Sequence, residues 1–308
     1  MYDNIDLSIH KEHCPGTDFI NEVPQYLTDF TSEGNSKFGK YINGYLDSLK
    51  VSIAENRVKI NGSSLCKYYL GDNFKTLSKG DTKRAIEKIS DKLGLPFHLA
   101  NVTRIDIAHN LIMQYNETIY YPYLGEAQYY KRLEQNNGLY YNNQKRQLLF
   151  YGKEYEQRTK RQPVPELYQN RNVLRFEMRF KKQLRKQLKK PEITAGLLYD
   201  EDFYYSLKKR WKYEYQKIQK INSKLVSMKP TGSKKEFIEN LALFTVLELG
   251  QPQVLNKIKE WQESGMISKK QAYDIRTSIK ELSKISMDEK GNELINELDR
   301  KVKEAARY

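Results

Sequence analysis

The chain has 308 residues, 39% of them hydrophobic and 30% charged, with a net charge of +14 and a pI near 9.4. That length has room for two ordinary domains, and the apolar residues come in short periodic runs, which excludes long disorder and predicts a packed core. Cys14 and Cys66, far apart and outside any CxxC or Cys/His spacing, exclude a disulfide framework and a structural zinc site, leaving two free buried thiols as the expectation.

The excess of Lys and Arg points to an acidic partner, because neutralising phosphates releases counterions. It is concentrated in residues 171–230, where 17 Lys and Arg face 6 Asp and Glu, +11 of the net +14. An anionic membrane surface or an ordinary solvated face would account for the same charge. No basic stretch followed by an apolar run opens the sequence, and no run approaches 18 apolar residues, so a cytoplasmic protein with no membrane partner is expected.

In chain order, Leu7 and Ile9 alternate with polar neighbours and predict an opening strand. Leu49, Val51 and Ile53, then Val58 and Ile60 beyond Ala54-Glu55-Asn56-Arg57, predict a hairpin. Asp81 is placed to cap a helix that carries Ile86, Ile89 and Leu93 on one face and is closed by Gly94 and Pro96. Strands of period two follow at 102–110, 146–153 and 173–180. The order predicts an α+β fold with a central antiparallel sheet and flanking helices over residues 1–190. Phe203, Leu207, Trp211, Tyr215 and Ile218 share a helical stripe in a basic connector spanning 191–230, with Lys208, Lys209 and Lys212 off that stripe. Val226–Gly232 is the candidate linker. Capping boxes at Ser233–Glu236 and Ser268–Gln271 and a last helix near 293–306 predict an all-helical C-terminal region over 231–308.

Phosphodiester chemistry with a divalent cation needs carboxylates, because Mg²⁺ takes hard oxygen ligands. Asp106 stands with Arg104 on the polar face of one strand, and Glu177 stands with Arg175 and Arg179 on that of another. Surface ion pairs on an exposed sheet face would leave the same pattern. Tyr151 is one of 24 tyrosines and is set apart by its neighbours Lys153, Glu154 and Glu156. Strict alternation puts Glu156 opposite Tyr151, so its participation requires the strand to end or bend after Gly152. Lys181, Lys182, Arg185 and Lys186 follow the Glu177 strand directly and form a candidate phosphate-gripping helix. Tyr140, Tyr141 and Tyr155 are candidates for stacking on unpaired bases.

The segments Val102–Ala108, Leu149–Glu156 and Val173–Arg179 read R-I-D, Y-x-K-x-x-E and R-F-E-x-R in that order. This ordered set resembles the phage and plasmid replication initiators of the gene II/gene X type, and it is similar to the plasmid Rep_trans rolling-circle initiators. The resemblance covers roughly residues 1–220. It implies a single-strand DNA endonuclease and ligase: a tyrosine cuts one origin strand, keeps a 5′-phosphotyrosyl bond and leaves a 3′-hydroxyl for the host polymerase. It places Tyr151 as the nucleophile with Lys153 and Glu156 beside it, and Asp106 and Glu177, with Glu154 as a further candidate, as ligands of Mg²⁺ or Mn²⁺. Origin DNA, single-stranded or melted, is the implied partner, gripped by Arg104, Arg175, Arg179, Lys181, Lys182, Arg185 and Lys186 in a bacterial host cell. Because the covalent bond preserves the energy of the broken one, no P-loop is expected, and none is present. The sequence departs from classical rolling-circle nickases in having no His-hydrophobe-His motif among His10, His13, His98 and His109; His109 alternates onto the face opposite Asp106. A conjugative relaxase, or an origin-binding protein that does not cut, would share these features. The C-terminal helices could bind duplex, form a homodimer or recruit a host helicase.

Overall fold

A computed structural model describes residues 1–37, 39–221, 233–249, 251–282 and 290–307. The chain divides into two units: Met1–Tyr121, Gly125–Gln219 and Leu298–Tyr308 form one, and Pro122–Leu124 with Lys220–Glu297 the other. The expected linker Val226–Gly232 lies outside the described residues.

The first unit is built on ten strands: β1 (Tyr2–His10), β2 (Asp29–Ser36), β3 (Gly39–Leu46), β4 (Leu49–Ala54), β5 (Arg57–Ile60), β6 (Asn101–Met113), β7 (Lys131–Gln135), β8 (Gly138–Asn142), β9 (Arg146–Gly152) and β10 (Asn172–Phe180). They pair antiparallel in the order β2-β3-β4-β5-β1-β6-β10-β9-β8-β7, so the first strand of the sequence lies in the middle of the sheet and β2 and β7 are its edges. The α+β class and the antiparallel sheet expected from period-two alternation are what the fold shows.

Alternation sorts the strands onto two faces. On β10, Leu174, Phe176, Met178 and Phe180 turn one way and Arg175, Glu177 and Arg179 the other. Register carries this across the sheet: Phe176 sits opposite His109 of β6 and Phe150 of β9. Phe150 and Phe176 stack at 4.4 Å on this apolar face.

Helices flank the sheet. Among those of this unit are α1 (Leu65–Leu70), α2 (Lys79–Leu93), α3 (Lys153–Thr159), α4 (Leu184–Leu188) and α5 (Glu201–Gln216). The predicted stripe of α5 is buried: Trp211 packs 4.7 Å from Phe176 and 5.0 Å from His109, and its Nε1 donates to the Phe176 carbonyl at 3.3 Å. Lys208, off that stripe, is nonetheless buried, with its ammonium 5.8 Å from the rings of Tyr204 and Tyr205. The cap of α2 is Ser78 rather than Asp81: Ser78 Oγ accepts from the Asp81 N–H, and the Asp81 carboxylate accepts from the Ser78 N–H. Residues 29–46, which carry no clean alternation, form β2 and β3.

The second unit is helical, with α6 (Lys234–Leu249), α7 (Gln251–Glu263), α8 (Lys269–Leu282) and the start of α9 (Lys290–Ala305). Val246, Ile258, Ala272 and Ile279 make its core. The Ser268–Gln271 box forms as expected, with Ser268 N–H to Gln271 Oε1 at 2.8 Å and Gln271 N–H to Ser268 Oγ at 3.2 Å. No helix among the described residues is long and apolar enough to cross a membrane.

His109, as alternation predicts, is a core residue. Burial pushes its imidazole down to about 3, and its Nε2 has no hydrogen-bond partner among the described residues. The unfolded chain takes up this proton near pH 6.5 and the folded chain does not, so the stabilisation present above that pH is lost as pH falls toward 3. Urea unfolding of His109→Leu should show a smaller drop in midpoint between pH 7 and pH 4 than the unsubstituted protein; equal drops would remove His109 from acid unfolding.

Candidate active site

The polar face of the sheet brings together residues far apart in sequence. Tyr151 lies opposite Arg175, and Leu149 opposite Glu177, where β9 pairs with β10. Asp106 lies opposite Arg179 where β10 pairs with β6. Tyr151, Glu177, Arg179, Asp106 and Arg104 therefore form a row across three neighbouring strands.

Hydrogen bonds join that row. The Tyr151 hydroxyl donates to Glu177 Oε2 at 3.1 Å, and Arg179 Nε donates to Glu177 Oε1 at 2.6 Å. Arg179 Nε is also 3.8 Å from Asp106 Oδ2. Arg104 holds Asp106 in a two-point grip, Nε to Oδ1 at 2.9 Å and Nη2 to Oδ2 at 2.6 Å. Asp106 and Glu177 are both buried, whereas the side chains of Arg104 and Arg179 remain 28% and 30% exposed. The row thus opens to solvent through its cations.

Behind it lies a second group that the sequence reading missed. Pairing shifts register between Tyr2 and Asn4, so Asp3 is an extra residue in β1 and turns onto the polar face. Its Oδ1 meets Arg175 Nη2 at 2.6 Å. Arg175 Nη1 donates to Asn110 Oδ1 at 2.9 Å and to the Phe74 carbonyl at 3.1 Å. Arg175 is wholly buried, so the expected contact with DNA does not fit its position; it is a structural cation behind Tyr151. Alternation alone would place Asp3 with Ile5 and Leu7 on the apolar face, so the sequence carries no signal for it.

After Tyr151 the strand stops. Gly152 ends β9 and Lys153 begins α3, which is the break that Glu156 required. A Cβ at Gly152 would run into the Glu117 carboxylate, which would have to swing aside. Along α3, Lys153 is buried, its Nζ 2.6 Å from Glu156 Oε2, and Lys160 pairs with the other Glu156 oxygen. Glu154 pairs with Arg158 at 2.5 Å, which turns it toward its own helix and away from the Asp106–Glu177 pair. Tyr155 is exposed, Tyr140 half-buried, and Tyr141 a core residue whose hydroxyl donates to the Gly125 carbonyl. Lys181, Lys182, Arg185 and Lys186 lie beyond β10; the first two and Arg185 and Lys186 flank the buried Leu184. Only Leu184–Leu188 is helical there, bounded by Gln183 and Lys189 with φ of 55° and 52°.

The electrostatics divide the two carboxylates. Burial, with the nearby Glu177 charge, pushes Asp106 up to about 7 against the pull of Arg104. Glu177 is held below the ordinary carboxylate range: Arg179, Arg175 and the Tyr151 hydroxyl outweigh its burial. Glu177 therefore keeps its charge while Asp106 takes the first proton. Burial and the Glu177 charge hold the Tyr151 phenol well above its ordinary value, and burial beside Arg175 lowers Lys153.

Among the described residues no group of three His, Cys, Asp or Glu side chains is placed to hold a metal. The Asp106–Glu177 pair fits a different mode, in which Mg²⁺ keeps several waters and takes one or two carboxylates plus substrate phosphate.

Removing one partner of the buried Asp3–Arg175 pair should be costly, because the other charge stays desolvated. Arg175→Leu should lower unfolding free energy by about 3–5 kcal/mol, and adding Asp3→Asn should recover part of that in urea titrations. Strict additivity of the two substitutions would show that the pair is not coupled.

Among curated proteins, none matches the chain. The Phage_CRI family, described as the N-terminal part of a phage replication-associated protein, matches residues 22–212, more than half of the chain and a span that includes Asp106, Tyr151 and Glu177. The chain therefore belongs to that family, the phage replication initiators of the gene II type.

Proposed function

We propose that the protein initiates rolling-circle replication by nicking one strand of origin DNA with Tyr151 and later rejoining it. The observation that carries this reading is the Tyr151 hydroxyl resting on Glu177, itself gripped by Arg179, at the solvent-reachable edge of a buried carboxylate pair. Membership of a replication-initiator family supplies the setting.

A phenol held above its ordinary pKa is neutral at rest, so its proton has to leave as it attacks. Glu177 Oε2 already accepts that hydrogen bond and is the nearest acceptor. The phenolic oxygen bonds to phosphorus as the bond from phosphorus to the 3′-oxygen breaks. The 5′ end stays on the tyrosine as a phosphodiester, and the 3′-oxygen leaves with a proton as a free hydroxyl. Running the same step backwards from a 3′-hydroxyl rejoins the strand without ATP.

Asp106 and Glu177 would hold Mg²⁺ or Mn²⁺, which when bound polarises the phosphoryl oxygen under attack. Arg179 and Arg104, charged and partly exposed, face the developing phosphoryl charge. Lys153, fixed by Glu156 at the start of α3, adds positive charge next to Tyr151. Lys181, Lys182, Arg185 and Lys186 continue that charge along the path of the strand.

Supercoiled origin DNA incubated with the protein and Mg²⁺ or Mn²⁺ should give a nicked circle with protein attached to the 5′ end. Tyr151→Phe should bind DNA normally and form no adduct, and Glu177→Gln should slow adduct formation by about 10²–10⁴-fold. An adduct that survives in Tyr151→Phe would move the nucleophile to another tyrosine.

A further inference from the structure

The polar face does not end at the row around Tyr151. Beyond β1, the strands β3, β4 and β5 form a cleft of about 410 Å³ on the same side, lined by Ser36, Lys40, Tyr41, Ser52, Arg57 and Lys59, among others. Register shows that the side is the same: Lys59 lies opposite Ser8, and Arg57 opposite His10, which share a face of β1 with Asp6, opposite Arg104. Arg57 and Lys59 are two residues apart on β5, half-buried, and neither has a carboxylate partner among the described residues. Lys40 has a distant one, Glu33 at 3.7 Å, while the Glu55 carboxylate is taken up by the Lys40 N–H at 3.1 Å. Burial, together with Arg57, lowers the Lys59 ammonium from its ordinary value, as expected of like charges gathered without an anion.

We infer that this cleft is a second DNA-backbone site, in which Arg57 and Lys59, with Lys40 at the rim, take phosphates of the origin DNA away from the nick. Two uncompensated cations in a concavity floored by hydroxyl and amide side chains suit a phosphodiester: the cations supply charge, and Tyr41, Ser52 and Asn56 supply donors. Across the sheet β5 is four strands of about 4.8 Å from β9, about 19 Å, and along it Lys59 lies level with Asn101 of β6 while Tyr151 lies level with Asn110, about 30 Å further on, so the cleft stands about 35 Å from Tyr151. At about 3.4 Å per nucleotide along one strand of B-DNA, that is roughly ten nucleotides from the scissile phosphate. The site anchors flanking DNA and takes no part in the chemistry. The identity of the polyanion rests on the nicking reading; the cleft itself does not.

The test uses the full chain and the double substitution Arg57→Gln/Lys59→Gln on the exposed side of β5. Affinity for origin DNA extending about fifteen nucleotides or more to either side of the nick is measured across a salt series. The double variant should bind more weakly, with the slope of log affinity against log salt flatter by about 2, while the charge-preserving Arg57→Lys/Lys59→Arg keeps the original slope. Covalent adduct on a short oligonucleotide that reaches only three nucleotides from the nick should be unchanged in every variant. An unchanged slope on the long DNA overturns the proposal, as does an equal loss on the short one, which would put both cations in the nicking site. Failure of adduct formation in the unsubstituted protein, with the slope difference intact, would remove the nickase and leave the cleft standing.

Discussion

The arrangement around Tyr151 depends on one fully desolvated guanidinium. Arg175 ties together the start of the chain through Asp3, the β6 strand through Asn110, and the loop after α1 through the Phe74 carbonyl. A buried cation needs its charge balanced, and Asp3 does so while Asn110 and the Phe74 carbonyl take up Nη1, three partners from three separate segments. Tyr151 lies opposite this residue in the sheet, so its surroundings are set by a group that never reaches solvent. That constraint also explains the extra residue in β1: without the register shift at Asp3, the balancing carboxylate would not share a side with Arg175.

In front of that anchor, the two carboxylates differ although both are buried. Arg179 and the phenol stabilise the charge on Glu177, whereas Asp106 meets Arg104 under the repulsion of Glu177. Two neighbouring acids whose proton affinities are pushed apart are suited to different tasks. One stays charged, and the other takes the first proton.

Much of this is legible in the sequence, because period-two alternation on β6, β9 and β10 separates charged from apolar faces and so places Asp106, Glu177 and Tyr151 on one side. Residues whose role depends on register are not legible. Asp3 lies one step from a strand that alternation does mark, and only pairing with β6 reveals the shift that turns it inward. Arg175 carries the same alternation as Arg179, yet one is sealed under Phe74 and the other stays partly exposed, a difference made by a loop a hundred residues earlier. Lys208 shows the same effect on the apolar side, where neighbouring tyrosines supply a surface that no helical period reveals. The break after Gly152, which the sequence poses only as a condition, is met by the strand's end.

The place of β1 in the middle of the sheet has a consequence for biosynthesis. β1 leaves the ribosome before β5 and β6, between which it pairs, and the group around Tyr151 is complete only when β10 has closed against β6. Asp3 waits for Arg175 across most of the domain, so the contacts that make the centre are among those of longest sequence separation and form late. A nascent or truncated chain that ends before β10 has Tyr151 but neither Glu177 nor Arg179. The polypeptide therefore holds Tyr151 without its partners until the domain that surrounds it is whole.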